Sequence, residues 1–153
     1  MEPTSVTNTI ATLVSRVVEL AIQIQQIPAP TFQEAQRADF VQTCFRTEGL
    51  SDVCLDEVGN VYGRLPGKDA SRKPLVVSAH LDTVFPACTE LRLLRQAETI
   101  AGPGIGDNSL GVAGLFGLLW ALREREIVLP GDVWMAATVG EEGLGNLRGI
   151  KAM

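Results

Sequence analysis

The sequence predicts an α/β fold organised around a parallel strand–helix–strand unit, and three observations carry that expectation. Leu75-Val76-Val77-Ser78-Ala79 and Val133 to Val139 are short, nearly continuous apolar runs, as expected of strands covered on both sheet faces. Between them lies an apolar stretch from about Ser109 to Glu126, too long for a strand and entered through a glycine-rich turn. Two parallel strands joined by one helix form a right-handed crossover, which brings the carboxyl ends of both strands to one edge. Open α/β sheets place their ligand sites at that edge.

The remaining elements follow in order. Leu13, Val17, Leu20, Ile24 and Ile27 recur at steps of four and three, so about Thr7 to Ile27 reads as an amphipathic helix. Arg16, Glu19, Gln23 and Gln26 turn to water, and Pro28 and Pro30 stop it. A second helix is predicted from Phe32 to Thr47, ending at Gly49 as a C-cap. Two strands near Val53–Asp56 and Val61–Arg64 join through Gly59-Asn60 as a hairpin. Pro66 to Arg72 is a polar loop, and Leu91 to Ala101 holds a weakly patterned hairpin. The long helix between the two apolar strands is apolar around most of its circumference until Arg123 and is expected to be largely buried.

Composition narrows the function classes. The 153 residues fit one domain, with 46% hydrophobic residues to build a core. A net charge of −5 and no basic cluster argue against nucleic acid or an anionic membrane as the main partner. Three cysteines, with no CxxC pair, read as reduced thiols rather than a disulfide framework. The pattern offers no long uncharged apolar run, and the Met1-Glu2-Pro3-Thr4 start lacks a basic region followed by an apolar one. Cytoplasm is the expected location.

Three motifs carry chemistry. His80, the only histidine, closes the first apolar strand, with Asp82 two residues on and therefore on the same side. A carboxylate on one ring nitrogen fixes the tautomer and strengthens the other as a metal ligand. Taken alone, the pair is equally a histidine satisfied at a strand end. Asp107 follows Gly102-Pro103-Gly104-Ile105-Gly106 at the entry to the long helix. It is either a helix N-cap or a carboxylate bridging two cations, with glycines permitting close approach. Glu141-Glu142 sits between Gly140 and Gly143, where the second strand leaves the core. Adjacent glutamates are commonly a solvated loop, but two carboxylates in one cleft repel unless a cation or proton separates them. A metal site would make one a ligand and the other a base.

Other chemistries fit less well. Ser109 stands where a GxGxxG run would need its last glycine, and Pro103 lacks an N–H for a phosphate. There is no GxSxG elbow.

With these motifs in order, the chain resembles the N-terminal half of a family of two-zinc metallopeptidases and amidohydrolases. That family includes peptidase T, carboxypeptidase G, aminoacylase-1, acetylornithine deacetylase and succinyl-diaminopimelate desuccinylase. The resemblance rests on His80-Leu81-Asp82-Thr83-Val84-Phe85-Pro86, on Gly102 to Ala113, on Glu141-Glu142-Gly143-Leu144-Gly145 and on Ile27-Pro28-Ala29-Pro30-Thr31. It implies a three-layer α/β/α, zinc-exopeptidase-like sheet, of which residues 1–153 form the N-terminal part. It implies that His80 binds one zinc, Asp107 bridges both and Glu142 binds the second. Glu141 becomes the general base, Asp82 the partner that orients His80, and the Asp107–Asn108 peptide is expected to be cis. Zinc is the implied metal, two ions per complete site, with cobalt or manganese as substitutes.

The implied activity is hydrolysis of amide bonds, foremost by an exopeptidase acting on short peptides. The alternative on the same scaffold is a deacylase of N-acyl or N-carbamoyl amino acids, and the full-length form is expected to be a homodimer. The chain also departs from the family. No Asp, Glu or His follows Glu142, so the family's later acidic ligand and second histidine have no counterpart. The expectation is therefore a truncated chain, a partial reading frame or a split gene, binding metal poorly and inactive alone. A non-catalytic binding module is the reading of another class.

Overall fold

The structure is a computed structural model that describes the backbone from Pro3 to Met153 and the side chains from Ile10 onward. Met1 and Glu2, part of the stretch read for a signal, lie outside the described residues. Helix α1 (Pro3–Gln25) begins four residues earlier than predicted and ends ahead of Pro28. Helix α2 (Ala35–Thr47) begins three residues later than predicted, because Phe32 takes a left-handed backbone at φ 75° and cannot belong to it. The hairpin of β1 (Ser51–Leu55) and β2 (Val61–Leu65) is antiparallel. Its turn is held by the Asp56 carboxylate, which accepts the N–H groups of Val58, Gly59 and Asn60 at 2.9–3.0 Å.

Strand β3 (Leu75–His80), the short hairpin β4 (Leu94–Arg95) and β5 (Ile100–Ala101), helix α3 (Leu110–Glu124), strand β6 (Val133–Thr138) and helix α4 (Arg148–Ala152) complete the chain. The main sheet has the order β1-β2-β6-β3. β6 runs antiparallel to β2 and parallel to β3, with Leu75 to His80 matched residue for residue to Val133 to Thr138. The predicted strand–helix–strand unit is present.

Because side chains alternate along a strand, the paired rows Val61–Ala137–Ala79 and Gly63–Met135–Val77 face one side. These residues, except the side-chain-free Gly63, pack in one core with Ile24, Val41, Phe45, Leu115, Phe116 and Leu119 from α1, α2 and α3. Phe45 and Phe116, with ring centroids 5.0 Å apart, join α2 to α3. Each such aromatic buried contributes about 1.5–3 kcal/mol. Gly63 lies under the Phe45 ring, since a Cβ there would meet Phe45 and Leu50 at 3.1 Å. The opposite face carries Tyr62, edge-on to Trp134, while α1, α2 and α3 pack into the core on the first face. The class is α/β as expected, and of the three layers the sheet and one helical layer are described.

Two expectations are corrected by the packing. β3 is not covered on both faces, since Leu75 and Val76 are 60% and 45% exposed. It is an edge strand with no partner beyond it among the described residues, and an apolar run does not distinguish an edge from a centre. α3 buries Val112, Phe116 and Leu119 but exposes the stripe Leu110, Gly114 and Leu118.

No long uncharged apolar run is expected from the sequence, and Ile105–Glu124, long and apolar enough by length and composition to cross a membrane, carries Asp107, Arg123 and Glu124. Asp107 and Asn108 have non-helical backbones, so the regular helix begins at Leu110. Its 15 residues span about 22 Å at the usual helical rise, short of a hydrocarbon core of about 30 Å.

Candidate metal centre

The parallel pairing of β3 with β6 ends at His80 opposite Thr138. Two residues after Thr138, the chain turns through Gly140 at φ 61° and presents Glu141 and Glu142 at the same sheet edge. Ligand atoms of His80, Glu141 and Glu142 all lie within 4.8 Å of one another.

Asp107 arrives from a different direction, on the turn that leads into α3. Gly104, at φ 69°, lets that turn pass against the His80 loop, because a Cβ there would sit 2.9 Å from Thr83 Cγ2. The Asp107–Asn108 peptide is cis. The N-cap of α3 is Ser109 rather than Asp107, and the Asp107 Oδ1 lies instead 3.0 Å from His80 Nε2. That contact removes the helix-cap alternative. The Asp107 side chain remains 75% exposed, open to the cleft.

Asp82 does more than its spacing predicted. The His80 Nδ1–H donates to the Asp82 backbone carbonyl at 3.0 Å, and the Asp82 carboxylate Oδ1 stands further off at 3.5 Å. That carboxylate, fully buried, accepts the backbone N–H of Glu141 on Oδ1 and of Glu142 on Oδ2, both at 2.9 Å. The Thr31 hydroxyl also donates to Oδ2 at 2.9 Å. Asp82 thus orients the histidine mainly through its main chain and uses its side chain to hold the glutamate loop. Neither Thr31 nor the bonds to Glu141 and Glu142 were legible in the sequence, where no local spacing links positions so far apart.

Burial raises the Asp82 pKa, but the hydrogen bonds from His80, Glu141, Glu142 and Thr31 outweigh it and hold the group well below the usual carboxylate range. His80 moves the other way. Burial lowers it, but the Asp82 hydrogen bond and charge, with Glu141 and Asp107, raise it from 6.5 to about 9. Glu142 is raised by burial and by its like-charged neighbours Asp107 and Glu141.

This pattern suits a cation. Nδ1 is committed as a donor to a carbonyl, so Nε2 is the free coordinating atom, and it faces carboxylate oxygens. Its 3.0 Å separation from Asp107 Oδ1 is close to the ~3.3 Å between neighbouring ligands 2.0–2.1 Å from a tetrahedral zinc. One imidazole and several carboxylates form a zinc, manganese or cobalt donor set. The residues present therefore fit the implied metal.

Because His80 is the sole histidine, its proton NMR titration is unambiguous. In the metal-free chain the ring should stay protonated through neutral pH and titrate near 9. Metal binding must then expel that proton, so apparent affinity rises with pH up to that value. A titration midpoint at or below 6.5 would refute this electrostatic picture.

A cleft of about 370 Å³ adjoins the cluster, walled by Phe32, Thr83, Val84, Glu142 and Leu144. A second cleft of about 390 Å³, between α1 and the β4–β5 hairpin, is lined by Ile105, Gly106 and Leu110 of the glycine-rich motif but by none of His80, Asp82, Asp107, Glu141 and Glu142.

Comparison with known proteins gives this site a context. The family model described as Peptidase family M28 matches residues 60–150, well over half of the chain. The cytosol non-specific dipeptidase of Escherichia coli is 35% identical over 68 residues, which cover 43% of this chain and 14% of that protein. Aminopeptidase PepT of Bacillus cereus superposes with a TM-score of 0.76 at 26% identity, covering 91% of this chain and 39% of the other. A tripeptidase of Staphylococcus aureus superposes at 0.71 with 25% identity, covering 88% of this chain and 39% of that one. The chain therefore spans well under half the length of these relatives.

Proposed function

The chain belongs to peptidase family M28, and from that premise we propose that it supplies the core of the metal centre of a metal-dependent exopeptidase acting on short peptides. The observation that carries this reading is the convergence of His80, Asp107, Glu141 and Glu142 beyond the carboxyl ends of β3 and β6, with Asp82 buried behind them. The likeness to an aminopeptidase, a tripeptidase and a dipeptidase supports short peptides as substrates.

His80, Asp107 and Glu142 would hold the metal ions. When bound, these would lower the pKa of a water and polarise the amide carbonyl. Glu141 is the general base. It accepts the proton of the attacking water and returns it to the amine nitrogen as the carbon–nitrogen bond breaks, leaving a carboxylate and an amine. Its backbone N–H, fixed on Asp82, keeps the carboxylate at the rim of the site. Thr83, Val84 and Leu144 line one side of the adjoining cleft, with Val84 and Leu144 exposed at its mouth.

In the catalytically active protein, Glu141→Gln should lower kcat on a dipeptide by about 10²–10⁴-fold with metal content unchanged. His80→Ala should lower metal content itself. A parallel assay on an N-acetyl amino acid separates peptidase from deacylase. Full turnover by Glu141→Gln would remove the glutamate from the base role.

A further inference from the structure

Two opposite charges are buried three residues apart at the start of α2, and the chemistry above uses neither. Glu34 is 4% exposed and Arg37 2%. Burying a charge is unfavourable unless hydrogen bonds satisfy it, so their bonding partners are informative. Arg37 donates through Nη1 to the carbonyl of Leu81, between His80 and Asp82, at 2.7 Å, and through Nε to the carbonyl of Ile27 at 3.0 Å. Glu34 Oε1 accepts the backbone N–H of Gly140, next to Glu141, at 3.0 Å, and that of Phe32 at 3.0 Å. The same segment takes the Thr83 N–H on the Ala29 carbonyl at 2.9 Å. One short stretch of chain, far from both motifs in sequence, is thus bonded to both of the loops that carry them.

Gly140 is the pivot of the second loop. Its left-handed backbone sets the direction in which Glu141 and Glu142 leave β6, and a Cβ there would meet Arg148 Nε at 3.0 Å. Its N–H is its only hydrogen-bond donor, and Glu34 holds it.

We propose that Glu34 is a positioning residue of the metal centre, its carboxylate fixing the Gly140 N–H so that Glu141 and Glu142 face His80. Arg37 and Thr31 tie the opposing loop to the same segment, so the Thr31–Arg37 stretch links the two halves of the site. Partners of this kind behind metal ligands change affinity without touching the metal. The proposal rests on the metal-centre reading above.

The test uses the 153-residue chain, Co²⁺ as the probe and three readouts: cobalt affinity from its visible absorption, metal-free melting temperature, and exchange of the Gly140 amide. Glu34→Ala should weaken cobalt binding by at least about tenfold and deprotect Gly140. Glu34→Leu, which keeps the volume and loses the acceptor, takes its place if the alanine variant does not fold. Glu34→Gln, which retains a carbonyl acceptor, should restore most of the affinity. Val112→Ala, a core change in α3, should lower the melting temperature and leave affinity unchanged, as a merely structural loss does. Unchanged affinity in Glu34→Ala, or a Glu34→Gln loss equal to that of alanine, overturns the proposal. If the unsubstituted chain binds no cobalt, the metal-centre reading fails for this chain alone, and the Gly140 amide decides the positioning role: exchange unchanged in Glu34→Ala overturns it.

Discussion

Replacing Asp82 with alanine should lower the stability of the metal-free chain by about 3–5 kcal/mol and abolish its zinc binding. The carboxylate is fully buried and accepts two backbone N–H groups, from Glu141 and Glu142, and the Thr31 hydroxyl. Alanine leaves these donors without a partner in a site too enclosed for ready hydration, and each unsatisfied group costs about 1–3 kcal/mol. It also leaves the buried Arg37 guanidinium without the charge that offsets part of its desolvation. Asp82→Asn should fall between the two, because one of its terminal atoms becomes a donor facing another donor. Urea unfolding measures the first effect and zinc calorimetry the second. A stability change under about 1 kcal/mol would mean that water takes the place of the carboxylate.

The same pair sets a pH profile for the metal-free chain. The folded-state pKa of Asp82 is depressed, so its contribution is present above about 3.9 and is lost as pH falls through the lower folded value. The folded-state pKa of His80 is raised to about 9, so its contribution is complete below about 6.5 and is lost as pH rises through 9. The pair stabilises the fold most between about pH 4 and 6.5.

Gly149→Ala, at the start of α4, should be a strongly damaging methyl addition behind the glutamate loop. A Cβ there would lie 2.4 Å from Asn60 Oδ1, 2.5 Å from the Val139 oxygen and 2.7 Å from the Val139 nitrogen. Two of these are backbone atoms at the end of β6, where Gly149 N–H donates to the Val139 carbonyl at 2.8 Å. Asn60, itself fully buried, accepts the Val139 N–H and donates to the Gly149 carbonyl, both at 3.0 Å. Nothing there has a free rotamer to yield, so the cost belongs at the upper end of overpacking, about 3 kcal/mol. Gly114→Ala is the contrast. It lies on the exposed side of α3 with nothing within 4 Å of a new Cβ, and should stabilise by about 0.5–1 kcal/mol through helix propensity. Thermal melts of the two variants should move in opposite directions. A neutral Gly149→Ala would mean that the α4 packing yields readily.

How far the sequence reached differs from element to element. Periodicity located α1 and the strand–helix–strand unit because a local repeat is enough to define an amphipathic face. Glu141-Glu142 could be placed beside His80 because a parallel crossover leaves both strands ending at one edge. The start of α2 was misjudged because one residue, Phe32, takes a left-handed backbone that composition does not announce. The exposure of β3 was misjudged because an apolar run reads the same at the edge of a sheet as at its centre.

By itself the sequence determined which elements form and which side chains arrive at the sheet edge, since both follow from local backbone preference and alternation. Only the tertiary structure decided what each of those side chains binds. Asp107 caps no helix and faces His80. Asp82 spends its carboxylate on backbone groups 59 and 60 residues away. Arg37 and Glu34, which no sequence motif singles out, are buried as ties to the two motif loops. Such partners are chosen by the need to satisfy every buried polar group once the chain has closed, and that need has no signature along the chain.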